Sequence, residues 1–295
     1  MNWLQLKIAS TQANAEALSD LLFLLGSLSV TLKDAQNQPI YEPPLGTTPL
    51  WHEVWVTALF SIETDVEPII QLVSQQIYQG QPPKYETQEI LEQDWTQIWM
   101  AQSQPMSFGD RLWICPSHQK VEKENAVIVK LDPGLAFGTG SHPTTALCLN
   151  WLDNNIHEQE TVIDYGCGSG ILAIAALKLG AKQAIAIDND PQALQACREN
   201  AKHNAVPNTK LIIAFPETIP TLTANILIAN ILANPLIDLA PQLAAMVKTH
   251  GKLVLSGILT HQIDAITNAY QSWFSFDEPV IQEDWVRLVG NKSKN

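Results

Sequence analysis

Apolar and polar residues alternate from Trp3 to Ile8, the two-residue period of a strand with one buried face. A dense apolar stretch over 15–25, closed by Gly26, predicts a helix. Alternation returns over 28–32. A strand is expected again over 54–62, after a Pro- and Gly-rich loop from Pro39 to Pro49. A second helix is predicted over 66–78, stopped by Gly80 and the pair Pro82–Pro83, and a fourth strand over 85–90. The order β-α-β-β-α-β is that of a split βαβ, ferredoxin-like module. It carries no chemical motif, which suits recognition or a structural role.

Residues 91–102 predict a connecting helix with Trp95 and Trp99 one turn apart. Aromatic pairs at that spacing face a core more often than a ligand. Strands are expected over 112–115 and 127–131. From Thr161 the pattern becomes strand–helix alternation: strand 161–163, helix 170–179, strand 184–187, a helix opening at Asp190–Pro191, and strands 211–214 and 226–229. A helix opening at Asn234–Pro235, strand 252–256 and helix 261–273 follow. In both openings a capping residue precedes a proline, whose missing N–H costs nothing at the first helical position. Pro279 to Val289 alternates enough for a terminal antiparallel pair. Repeated strand–helix units imply a doubly wound parallel sheet.

Composition narrows the chemistry. The chain has 295 residues, 46% hydrophobic and 16% charged, enough to bury a sizeable core in one large domain or two ordinary ones. Its net charge is −13. Nucleic-acid binding needs clustered Lys and Arg to neutralise phosphates, so no direct nucleic-acid contact is expected. The acidity suits a basic partner, or solubility alone. Cys115, Cys148, Cys167 and Cys197 form no CxxC pair, and no His stands at metal-ligand spacing from another His or Cys, so no metal site is expected. No basic segment followed by an apolar core opens the chain, and no apolar run has the length of a membrane span. A cytoplasmic enzyme without a membrane partner is the expectation.

Asp164-Tyr165-Gly166-Cys167-Gly168-Ser169-Gly170 lies between a predicted strand and a predicted helix. Alternate glycines remove side chains that would hold a nucleoside cofactor off the backbone. In an open α/β sheet ligands bind beyond the carboxyl ends of strands. Asp188 ends the next strand, where a carboxylate can accept hydrogen bonds from ribose hydroxyls, and Asn230 ends the strand over 226–229. The register Gly168-x-Gly170-x-x-Ala173 also satisfies the dinucleotide fingerprint, so the turn alone fits NAD as well as S-adenosylmethionine. Asp164 ahead of the glycines and Asn230 on the fourth strand favour a methyltransferase.

The loop from Asp132 to Thr145 contains Phe137, Gly138, Gly140, His142 and Pro143 and no lysine. It lacks the Gly-Lys-Ser/Thr ending of a phosphate loop, so a cofactor without phosphate is favoured. It is expected to act as a lid, with the hydroxyls of Thr144 and Thr145 at a helix N-terminus. His142 is as plausible a cap as a general base. Ser141 and Ser169 sit in no nucleophile elbow, which demotes a hydrolase.

The segments LDPGLAFGTGSHPTT, VIDYGCGSGILAIAALKLGA, AIDNDPQAL and NILIANILANPL together resemble the ribosomal protein L11 methyltransferase family. The likeness extends to Trp3-Leu4-Gln5-Leu6 and Arg111-Leu112-Trp113-Ile114. It implies a ferredoxin-like recognition domain over 1–90 and a linker helix over 91–104. A doubly wound, seven-stranded class I (Rossmann-like) methyltransferase domain would fill 105–295. It implies S-adenosylmethionine as methyl donor and the ribosomal protein's lysine ε-amino and N-terminal α-amino groups as acceptors. Carried over by motif, Thr145, Gly166, Asp188 and Asn230 would contact the cofactor, joined by Gly168, Phe137 and Thr144, and Asn230 would also position the amine. Asn189 replaces an aliphatic residue often seen there and is expected to face outward. The rivals are an NAD-dependent dehydrogenase, a glutamine or nucleobase methyltransferase, and an idle binding module. The nucleobase enzymes commonly carry an aromatic that here would follow Asn230, where Ile231-Leu232-Ala233 stands.

Overall fold

In a computed structural model the chain forms two compact units, Met1–Trp95 and Thr96–Asn295. The structure describes all residues except Met1, Pro39, Glu42, Pro44, Leu45, 92–103, 133–139, Pro220, Thr221, Lys294 and Asn295. The expected connecting helix, with Trp95 and Trp99, lies almost wholly outside the described residues.

The first unit contains β1 (Trp3–Thr11), α1 (Gln12–Leu24), β2 (Ser29–Asp34), β3 (Glu53–Ser61), α2 (Val66–Ile77) and β4 (Tyr85–Ile90). The strands form one antiparallel sheet in the order β2-β3-β1-β4. Leu6 and Ile8 face the same side as Val54, Val56, Ala58 and Phe60, and α1 and α2 cover it with Leu18, Leu22, Ile70 and Val73. Each buried Val, Leu, Ile or Phe side chain here contributes on the order of 2 kcal/mol. Asp65 caps α2 by accepting from the Glu67 amide at 3.2 Å.

The second unit opens with a small sheet of β5 (Met106–Phe108), β6 (Leu112–Cys115) and β7 (Val127–Lys130). After α3 (Pro143–Asn155) comes the main succession: β8 (Thr161–Tyr165), α4 (Ile171–Lys178), β9 (Gln183–Ile187), α5 (Pro191–His203), β10 (Leu211–Ala214) and β11 (Ala224–Asn230). Two short helices, α6 (Ala233–Asp238) and α7 (Ala240–Ala245), lead to β12 (Val247–Leu259), α8 (Ile263–Tyr270), β13 (Phe274–Phe276), β14 (Val280–Gln282) and β15 (Trp285–Lys292). Seven strands run in the order β10-β9-β8-β11-β12-β15-β13, and β14 pairs with β15 as an eighth. The first five are parallel, β15 runs antiparallel to them, and β13, antiparallel to β15, runs in the direction of the first five.

Neighbouring residues on each strand serve opposite layers, the basis of the doubly wound form. Val162, Ala184, Ile226 and Val254 pack with α3, α4 and α5. Ile163, Ile185, Leu227 and Leu253 pack with α6, α7 and α8. Two expectations change. Asn234 does not cap the helix after β11: that helix is already under way at Ala233, its cap position is Leu232, and it breaks after Asp238 before α7. The short strands β5 and β13 carry too few residues to show a period and escaped the sequence pattern.

A buried carboxylate fastens the small sheet to α3. Asp153 accepts from the amides of Asp110 at 2.7 Å, Leu112 at 3.1 Å and Arg111 at 3.3 Å. A Cβ at Gly109 would collide with that carboxylate. Replacing Asp153 with Ala strands these donors, and unsatisfied buried groups cost about 1–3 kcal/mol each. The expected outcome for Asp153→Ala is a loss of about 3 kcal/mol in urea unfolding; an unchanged midpoint would contradict this role.

Candidate active site

The glycine turn leaves β8 at Tyr165 and enters α4 at Ile171. The amides of Gly166 and Cys167 both donate to Ile187 O, at 2.8 and 3.0 Å, so the turn is anchored to the end of β9. Gly166 has φ +75°, in the left-handed region where a side chain is strained. A Cβ there would also strike Ile231 Cγ2. Part of the space cleared by the glycines is therefore taken by the protein itself.

Asp188 follows β9 and faces the turn. Its Oδ2 accepts from the Gly168 amide at 2.9 Å and its Oδ1 from the Asp190 amide at 3.0 Å. These bonds orient the carboxylate and leave lone pairs for further donors. Asp190 in turn caps α5 through the Gln192 amide at 2.8 Å.

Asn230 ends β11 and donates from Nδ2 to Thr145 Oγ1 at 3.2 Å. With Nδ2 so committed, Oδ1 is the amide atom with acceptor capacity for another donor. Ser256 is the β12 partner of Asn230, and its hydroxyl lies 3.2 Å from the carbonyls of both Thr144 and Val286. The next residue, Gly257, has φ +82°, and a Cβ on it would run into the backbone carbonyl of Ile231.

His142 caps α3. Its Nδ1 lies 2.8 Å from Thr144 Oγ1 and accepts from the Thr144 amide at 3.4 Å. Its ring meets that of Trp285 edge-on, centroids 5.0 Å apart. Burial lowers its pKa, opposed by the charge of Glu283, so the ring is neutral at pH 7.

These groups border a cleft of about 720 Å³, within the usual range for a small-molecule site. Thr144, Gly166, Gly168, Asp188 and Asn230 line it, and Thr145 sits behind Asn230, nearly inaccessible to solvent. Phe137 lies outside the described residues. Asn189, expected to face outward, is solvent-exposed yet borders the cleft. Five liners carried no legible role in the sequence: Ala193, Ile231, Leu232, Gly257 and Trp285. A Ser-Gly pair closing a strand was the one available signal for Gly257.

Asp164 stands beneath the turn, 1% exposed. Its Oδ2 accepts from the Ala173 amide at 3.0 Å, in the first turn of α4, and its Oδ1 has no hydrogen-bond partner. Burial pushes its pKa up to about 7, with the Ala173 bond opposing and the Asp188 charge adding.

A parallel sheet with one reversed strand, β15, inserted between β12 and β13, a glycine turn after β8 and a carboxylate after β9 define a class I methyltransferase domain. The chain matches the family described as Ribosomal protein L11 methyltransferase (PrmA) over residues 2–293. It belongs to that family. Ribosomal protein L11 methyltransferase of Shewanella sediminis (strain HAW-EB3) is 50% identical over 291 residues, covering 98% of this chain and 99% of the relative. That of Shewanella baltica (strain OS155 / ATCC BAA-1091) is 50% identical over 293 residues, with 99% and 100% covered. The crystal structure of a ribosomal protein L11 methylase from Lactobacillus delbrueckii subsp. bulgaricus superposes with a TM-score of 0.58 at 32% identity, over 65% of this chain and all of that one. The dinucleotide alternative left open by Gly168–Ala173 gives way to the methyltransferase.

Asp164 yields a pH test. Its folded pKa, about 7, lies above the ordinary carboxylate value near 4. Between these values the unfolded chain is ionised while the folded chain keeps its proton, so this group's contribution to stability falls as pH rises through the window. The stability of Asp164→Asn relative to wild type is expected to rise from pH about 4 to about 7, by at most about 1.4 kcal/mol per unit, and then level off. Denaturation at a series of pH values measures it, and a pH-independent difference would sink the assignment.

Proposed function

We propose that this chain transfers methyl groups from S-adenosylmethionine to lysine ε-amino groups and the N-terminal α-amino group of ribosomal protein L11. The observation that carries the proposal is the convergence of the glycine turn, Asp188 and Asn230 on one cleft in a chain of this family. The cleft suits the cofactor: the Asp188 carboxylate has acceptor capacity for ribose hydroxyls, and Gly168 exposes backbone at its wall. Thr144 and Thr145 belong to the methionine side of the site, and Phe137 to the segment ahead of it. The first unit recognises the substrate protein, with residues 91–104 linking it to the catalytic unit, and the enzyme works in the cytoplasm. Among the described residues no helix is long and apolar enough to cross a membrane.

When bound, S-adenosylmethionine supplies an activated methyl on a sulfonium. The chain must then deliver a neutral amine in line with it. A lysine at pKa about 10.4 is mostly protonated at pH 7. Trp285, Ile231 and Leu232 give the cleft apolar walls that disfavour the ammonium form. Asn230 Oδ1 can accept an N–H from the amine and fix its direction, while Thr145 holds the amide in place. His142, neutral and engaged with Thr144, lends its ring edge and not a charge. The departing proton leaves through water.

Intact mass spectrometry of L11 incubated with enzyme and S-adenosylmethionine should show steps of about 14 Da, one per methyl. An unaltered mass would overturn the proposal. Replacing Asp188 with Ala should weaken S-adenosylmethionine binding at least about tenfold by calorimetry, since charged hydrogen bonds contribute about 1.5–3 kcal/mol. Unchanged affinity would move the ribose site elsewhere.

A further inference from the structure

The first unit segregates its charge. Residues 1–95 hold three lysines, no arginine and twelve acidic residues, a net charge of −9 out of −13 for the whole chain. All three lysines belong to one side. Lys7 pairs with Thr57 and Lys33 with Trp55, positions that alternate with the buried Val54, Val56 and Ala58 and so lie on the sheet face away from α1 and α2. Lys84 places its Nζ 5.5 Å from the centroid of the Trp55 ring, on that same face.

The helical side is the reverse. Glu16 and Asp20 stand one turn apart on α1, Glu63, Asp65 and Glu67 lead into α2, and neither helix contains Lys or Arg. Ala15, Leu18, Leu21 and Leu22 turn α1 onto the sheet, which leaves Glu16 and Asp20 on its outer stripe. At helical spacing the same stripe continues into Phe23 and Leu24, which are 51% and 84% exposed. Leu28, just beyond the helix-ending Gly26, is 57% exposed. Large apolar side chains grouped in this way mark a surface that another molecule covers. The one-sign charge beside them selects the partner: RNA is repelled and a cationic protein surface attracted.

We propose that the outer stripe of α1, set in the acidic field of α1 and α2, is the docking surface for a lysine-rich protein face, that of the ribosomal-protein substrate. This rests on the proposed role of the first unit in substrate recognition. Glu16 and Asp20 would meet lysines around the methylated positions, and Phe23 and Leu24 would lose water against apolar surface between them.

Three double variants of the full chain test this. In Glu16→Lys/Asp20→Lys and in Phe23→Ser/Leu24→Ser, KM for purified L11 should rise about tenfold or more. In both, kcat at saturating L11, S-adenosylmethionine affinity and melting temperature should stay at wild-type values, a split that a folding defect would not produce. The salt dependence of KM should shrink only in the charge variant. Glu53→Lys/Glu86→Lys reverses two charges on the helix-free face and should leave KM within about twofold. Wild type that methylates L11, with both α1 variants keeping KM within about twofold, overturns the docking surface alone. Wild type that leaves L11 unmodified overturns the substrate assignment and the docking surface together.

Discussion

Ile231 enters between two glycines, one just past the end of β8 and one near the end of β12. Gly166 on one side receives its Cγ2, and Gly257 on the other receives its backbone carbonyl. With Ile231 fixed, Asn230 has its place at the end of β11. Thr145 then holds the Asn230 amide, and Ser256 binds the carbonyl of the adjacent Thr144. The chain of contacts returns to its start: glycine turn, Ile231, the end of β12, the start of α3, and Asn230. Glycine in regular structure costs about 0.5–1 kcal/mol in lost restraint, which the close packing of three strand ends offsets.

Two carboxylates near this ring show how environment divides identical chemistry. Asp188 is held by two backbone amides beside open space and serves as an acceptor. Asp164 is buried with one amide donor and a second oxygen that nothing satisfies. Desolvation favours its neutral form, and the charge of Asp188 pushes the same way. The carboxylate that opens the glycine motif thus acts as a cap on α4, and it acts at a cost.

Long periodic elements were legible because burial on one side imposes a period that composition reveals. Trp3–Ile8 and the strand–helix alternation after Thr161 are examples. The site was legible where a residue type is chemically forced: glycines in a left-handed turn, a carboxylate at a strand end, a proline after a cap. It was not legible where the role depends on tertiary neighbours. Nothing local to Trp285 says that a residue far upstream, His142, will lie against it. Asn234 looks like a cap because Asn-Pro usually is one, yet the helix starts one residue earlier, at Ala233, with Leu232 in the cap position. Gly257 needs its backbone conformation only because Ile231 occupies the space beyond it.

The cysteine inside the glycine turn has a further consequence. Cys167 is 5% exposed, and the neighbouring Cys197 thiol, together with burial, raises its pKa. Thiolate is the nucleophilic form of cysteine, and thiol is comparatively inert. The Cys167 side chain packs in the core with Cys197, Leu172 and Leu194, and it is not among the residues that line the cleft. Held as a buried thiol behind the turn's backbone, Cys167 puts a sulfur into the motif without presenting a nucleophile to the cleft.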